Sequence, residues 1–316
     1  EHPKVVEMVN RGVEFLTNGT DVRIAAYGDG EVILAGYACF KVTGDADHRR
    51  AKEGIAAAQR VARALAGMSR EGESKVVYEA AMAVLMLAAV DPVQYRPELS
   101  TLLDWFYTVQ KSHGGFGYLG QSAGDTSQTQ YAVLALWTLN EAGLDVPPDI
   151  LIKTLQYLIG TNERGGWAYQ YDLRSGKFVA TSAGITKSLS TAGIGALIVG
   201  GDALRLFGER KKENDVDDGL PEAFVRIDNV VKQRAAQQGL AISKSDLEPV
   251  MQQARDLQNR TQFNGGMWYY YWRYSQERYE SFVEIVEGKQ NKSPAWYNEG
   301  VEALAKGQDP EGSWGN

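Results

Sequence analysis

Gln308-Asp-Pro-Glu-Gly312-Ser-Trp314, near the end of the 316-residue chain, spells a Gln, three residues, a Gly, one residue and a Trp. The spelling recurs with Phe for Trp in Gln110-Lys-Ser-His-Gly114-Gly-Phe116, and outright in Gln262-Phe-Asn-Gly-Gly266-Met-Trp268. Thr161-Asn-Glu-Arg-Gly165-Gly-Trp167 keeps everything but the Gln, and a degenerate copy runs from Met68 through Gly72 to Ser74. The motif glycines at 72, 114, 165, 266 and 312 are separated by 42, 51, 101 and 46 residues. The longest step is about two repeats, and a period of about 40 to 50 residues is that of one helical hairpin with its loops. The chain reads as a repeat protein.

Two kinds of helix alternate. Before each motif the pattern is amphipathic: in "PELSTLLDWFYTVQ" (97–110), Leu99, Leu102, Leu103 and Phe106 recur at helical spacing. "PPDILIKTLQYLIG" (147–160) repeats the scheme. After each motif comes a helix apolar nearly all round, as in 76–90, 130–139 and 189–199, and a helix with no wet face is buried on all sides. Half-wet outer helices alternating with buried inner ones predict an all-α fold, an α/α toroid of two concentric rings, with strand periodicity and hairpin turns absent. Inner helices are expected near 31–43, 75–90, 126–142, 182–200 and 266–285, and outer ones near 3–17, 50–66, 97–110, 149–159, 246–260 and 294–306. The toroid is expected to span 1–316 as a single domain. Residues 205–245 form a charged insertion within it that carries a helix near 221–238.

Each motif position has a structural role in this reading. Gly114, Gly165, Gly266 and Gly312 permit a tight turn. Phe116, Trp167, Trp268 and Trp314 plug between helices, and Gln110, Gln262 and Gln308 bond backbone groups left open at helix ends. The net charge of −7 argues against nucleic acid. No apolar run reaches membrane-spanning length, and the best candidate, Leu189 to Val199, is too short. The single Cys39 precludes an internal disulfide and reads as a small buried side chain. A start at Glu1 fits removal of a signal peptide and export, and equally a trimmed chain.

The glutamine–glycine–tryptophan spelling resembles the QW motif of squalene-hopene and oxidosqualene cyclases. "GGFGYLGQSAGDTSQTQYAVLALWTL" is similar to the prenyltransferase and squalene-oxidase repeat. The stretches from Gly165 and from Trp268 resemble short, exported cyclase-like proteins of planctomycetes. The resemblance implies the toroid and says little of activity, since related toroids serve cyclases, prenyltransferase subunits and non-enzymatic proteins.

In the cyclases, the resemblance implies, the middle Asp of Asp-x-Asp-Asp protonates the substrate. Asp215-Val-Asp217-Asp218 has those letters, but Gly219, Leu220 and Pro221 follow within the charged insert, where carboxylates are solvated. The register of the cyclase acid falls instead on Ser122-Ala-Gly124-Asp125-Thr126, with Gly124 where the donor would stand. Asp125 with Gln128 three residues on fits a capping box. Zinc chemistry of the prenyltransferase kind lacks its Asp, the matching position before Cys39 being Tyr37. His2, His48 and His113 fall in loops or at the terminus. No metal or cofactor is implied.

What remains is a central cavity. Trp268, Tyr270, Tyr271, Trp272, Tyr274 and Tyr279 are the candidates to line it, and aromatic walls suit an apolar or isoprenoid ligand and equally sugars or an apolar peptide. Arg273 and Glu277 are placed to pair at i, i+4. The leading expectation is a non-catalytic toroid that binds an apolar ligand or a protein partner. The alternative is an isoprenoid cyclase or lyase, for which Asp125, Asp215, Asp217 and Asp218 are the weak candidates. Counting gives six outer and five inner helices, because Trp314 leads into no further helix. An apolar seam near 31–43 and 266–285 is therefore expected, covered by further chain, a partner or an oligomer.

Overall fold

The computed structural model describes residues 3–18, 29–66, 75–182, 184–208, 241–261, 263, 268–288, 291 and 293–314. These residues are mostly helical. The helices are α1 (Pro3–Asn18), α2 (Asp29–Thr43), α3 (Arg49–Ala66), α4 (Val76–Val90), α5 (Arg96–Val109), α6 (Thr126–Glu141), α7 (Pro148–Gly160), α8 (Lys187–Ala203), α9 (Lys244–Arg260), α10 (Tyr269–Glu287) and α11 (Ala295–Gly307). They start and stop within a few residues of the expected positions. The insert's expected helix near 221–238 lies outside the described residues.

The apolar pattern explains the packing. In α4, ten residues from Val76 to Leu87 are buried, and in α8 every residue from Ser188 to Ala203 is buried. Each large aliphatic side chain enclosed in this way contributes about 1.5–3 kcal/mol. α2, α4, α6, α8 and α10 pack each against the next in chain order, while α3, α5, α7 and α9 lie against them. α1 packs on α11, with Lys4 paired to Glu302 at 2.5 Å. α10 makes no comparable contact with α2 among the described residues. On these two helices Leu34, Val42, Tyr270 and Tyr274 are exposed, as is Trp268 just before α10.

A small antiparallel sheet corrects the all-α expectation. β1 (Gly124–Asp125) pairs with β2 (Gln170–Arg174), which pairs with β3 (Lys177–Ala180). Ser175 and Gly176 make a two-residue loop, with φ of 49° and 77°. Left-handed backbone at both central positions gives the turn whose twist matches a hairpin. The sheet ties the loop after Trp167 to the start of α6.

The motif copies dock alike. Gly114, Gly165 and Gly312 have φ of 93°, 91° and 99°. A Cβ at each would overlap a backbone oxygen of the next outer helix: Lys153 in α7, Gln253 in α9, and Arg11 in α1. Gln110 Nε2 donates to Gly114 O at 3.0 Å and to Ile150 O in α7 at 2.8 Å. Gln308 Nε2 donates to Gly312 O and to Met8 O in α1, both at 2.9 Å. The last motif thus treats α1 as its following helix. Trp167 and Trp314 donate their indole N–H to the carbonyls of Leu158 and Leu304 in the preceding outer helix. Gln262 and Gly266 lie outside the described residues.

Candidate functional site

α2, α4, α6, α8 and α10 all begin around one cavity of about 720 Å³. α2 contributes Gly30, Glu31 and Leu34, and α4 contributes Tyr78, Glu79 and Met82. Ser127 and Tyr131 come from α6, Ser188 and Leu189 from α8, and Tyr271 from α10. Tyr118, Tyr169 and Trp268 complete the aromatic wall from the connecting segments. The wall is tyrosine rings and aliphatic groups with a few hydroxyls, and Lys75 and Glu31 meet at its rim at 3.5 Å.

Behind Ser127 lies Asp125, with no exposed surface. Its Oδ1 accepts from the Ser127 hydroxyl at 2.5 Å and from the Gln128 N–H at 3.0 Å. The Ser127 Oγ is 2.6 Å from the Tyr78 hydroxyl, so a hydroxyl chain joins the carboxyl to the cavity. Oδ2 is enclosed without a hydrogen-bond partner. Burial pushes the carboxyl above the usual carboxylate range; the Ser127 and Gln128 hydrogen bonds and the nearby Tyr169 hydroxyl oppose this. Asp125 caps α6, but the expected reciprocal bond from the Gln128 side chain is absent. The Asp125 N–H goes to Phe116 O at 2.7 Å, and both Gln128 side-chain polar atoms are buried without partners.

A layer of polar and aromatic groups separates this cavity from a second, of about 440 Å³. Gln130 Nε2 donates to the Tyr271 hydroxyl at 2.5 Å, and its Oε1 accepts from Arg278 Nη1 at 3.2 Å. The Arg278 guanidinium lies 4.2 Å from the Tyr274 ring centre and 5.5 Å from that of Tyr131. The second cavity is lined by Arg278, Tyr37, Tyr274, Leu85, Leu134, Trp137 and Phe282, with Glu141 and Glu277 also in its wall.

The aromatic cluster of α10 divides. Trp268 and Tyr271 line the first cavity and Tyr274 the second. Tyr270 is exposed and lines neither. Trp272 is buried, stacked on Phe263 with ring centres 4.6 Å apart. Tyr279 is buried against α8, which pushes its hydroxyl up to about 12. Arg273 donates to the Tyr269 hydroxyl and to Gln276 Oε1 rather than pairing with Glu277. His113 is no free loop side chain: it stacks on Tyr157 and reaches Ser122 O at 3.0 Å. Cys39 is buried in α2. Asp215, Asp217 and Asp218 lie outside the described residues. Among those described, no cluster of His, Cys, Asp and Glu has the makings of a metal site, and no helix is long and apolar enough to cross a membrane.

Tyr78, Tyr118, Ser127, Gln130, Tyr131, Tyr169 and Arg278 went unmarked by motif reading. The available signal was polarity in the wrong place: Thr126 to Gln130 are all polar and all buried at the head of an otherwise apolar helix. No protein-family model, curated protein or solved structure matches this chain.

Proposed function

We propose that the eleven helices form a closed α/α toroid whose central cavity binds an elongated apolar molecule of isoprenoid type, without catalysis. The observation that carries this reading is the tyrosine- and aliphatic-walled cavity of about 720 Å³ at the shared start of five helices, a volume and lining typical of small-molecule sites. Closure is supported by the docking of Gln308 and Gly312 on α1, which repeats that of Gln110 and Gly114 on α7. An exported location and a protein partner at the exposed seam of α2 and α10 belong to the same reading. Titration with farnesol, followed by Trp268 fluorescence, is the test. Saturable binding weakened by Leu34→Trp, which narrows the cavity from its half-exposed wall, is expected; no saturable binding overturns the reading.

A second reading, an isoprenoid cyclase, is favoured by Asp125. Burial raises the Asp125 carboxyl above its usual range. With the Ser127 hydroxyl turned away from Oδ1, that carboxyl would pass a proton through the Ser127 and Tyr78 hydroxyls to a double bond in the cavity. Tyrosine faces would stabilise the cation, and loss of a proton from the cation back along the chain would complete the step. Cyclised product from squalene, abolished by Asp125→Asn, would replace the first reading with this one.

A further inference from the structure

Among the described residues Arg278 is a buried cation with no anion. It is 5% exposed, and no carboxylate lies within ion-pairing distance of it among the described residues. Among the described residues its partners are the Gln130 amide oxygen, the faces of Tyr131 and Tyr274 and the nearby Tyr131 hydroxyl, while Nη2 is enclosed with no partner in hydrogen-bonding geometry. Taking a guanidinium out of water is costly unless its charge and its donors are met. Two ring faces meet part of the charge and none of the Nη2 donors.

We propose that the second cavity is a separate binding site for an apolar monocarboxylate, whose head group pairs with the Arg278 guanidinium. The cavity of about 440 Å³ holds Arg278 in its wall, and Leu85, Leu134, Trp137 and Phe282 supply an apolar surface for the body of such a molecule. The charge balance selects a single negative charge. Glu141 is already engaged by Arg205 at 3.1 Å, and Glu277 is exposed and accepts from Ser281 at 3.1 Å. Both carboxylates line the cavity and oppose a doubly charged phosphate more than a carboxylate. A planar guanidinium edge also matches a carboxylate in geometry.

The test uses dodecanoate, dodecanol and dodecyl phosphate in calorimetric titrations of the whole chain. Dodecanoate should bind tightest, and Arg278→Met should weaken it about 10-fold or more while leaving dodecanol within about twofold, as expected for loss of a charge-assisted hydrogen bond. Ala88→Phe keeps Arg278 and fills the cavity from α4, and it should also abolish dodecanoate binding; circular dichroism checks that both variants fold. Dodecanoate bound no tighter than dodecanol, or equally by Arg278→Met, would make Arg278 a purely structural cation and overturn the proposal. Tighter binding of dodecyl phosphate would overturn the choice of a carboxylate. Farnesol binding that persists in Ala88→Phe distinguishes failure here from failure of the first cavity.

Discussion

The copies of the motif at Trp167 and at Trp314 share a turn, a positive-φ glycine on the next outer helix and an indole bond to the preceding one, yet differ in burial. Trp167 is fully enclosed: α8 follows it, Gly193 lies flat against the ring, and the Ser190 hydroxyl accepts the Trp167 backbone N–H at 3.2 Å. Phe116 has the same provision from α6, where Thr129 accepts its N–H at 3.1 Å. Trp314 packs on Gly12 of α1 and stays half-buried. The turn is therefore made by the motif and the outer helices, while the burial of its ring is made by the inner helix that follows.

The largest effect separates the two rings. Trp167→Ala should cost about 3–5 kcal/mol, as enclosed aromatic truncations do, and Trp314→Ala less than half of that. Chemical denaturation of the two variants measures it, and equal losses would break the comparison. The glycines should behave alike. Gly165→Ala and Gly312→Ala each place a Cβ on a helix backbone at positive φ, so each should lose about 2 kcal/mol or more; a mild Gly312→Ala would mean that α1 does not hold the last motif. Smaller still is Ser190→Ala, which leaves the Trp167 N–H enclosed and unpaired at about 1–2 kcal/mol. Ser313→Ala, beside Trp314, should be close to neutral by the same denaturation curves.

The helices were legible because a helix apolar nearly all round, and too short to cross a membrane, must be buried by its neighbours, and 76–90 and 189–199 state it plainly. The sheet was not, because Leu173, Phe178 and Val179 give too short an alternation, and only Ser175-Gly176 marks the turn. In α10 the letters alone could not divide the aromatics, though their spacing does. Trp272, Ser275 and Tyr279 recur at helical intervals on the buried face, and Tyr271, Tyr274, Arg278 and Phe282 on the cavity face. Asp125 was read as a cap and is one. The enclosure of its second oxygen, with Tyr169 nearby, comes from residues distant in the sequence.

A smaller effect, on the pH dependence of stability, belongs to that carboxyl. Its folded-state pKa is raised by burial, so between the ordinary carboxylate range and the raised value the folded protein holds more proton than the unfolded one. The contribution is full below the unfolded pKa and is lost as pH rises through the folded one. Stability should therefore fall across that window, and Asp125→Asn should flatten the slope in melts recorded from acid towards neutral pH. An unchanged slope would show that Asp125 titrates normally.

The contact between α1 and α11 bears on how the molecule melts. In a linear array of helical pairs the outermost unit has a single neighbour and frays before the interior. Here each outermost helix is the other's neighbour, through Lys4 with Glu302 and Gln308 with Met8. Neither can peel away without stripping its counterpart, so amide protons of α1 and α11 should exchange together, at one shared rate.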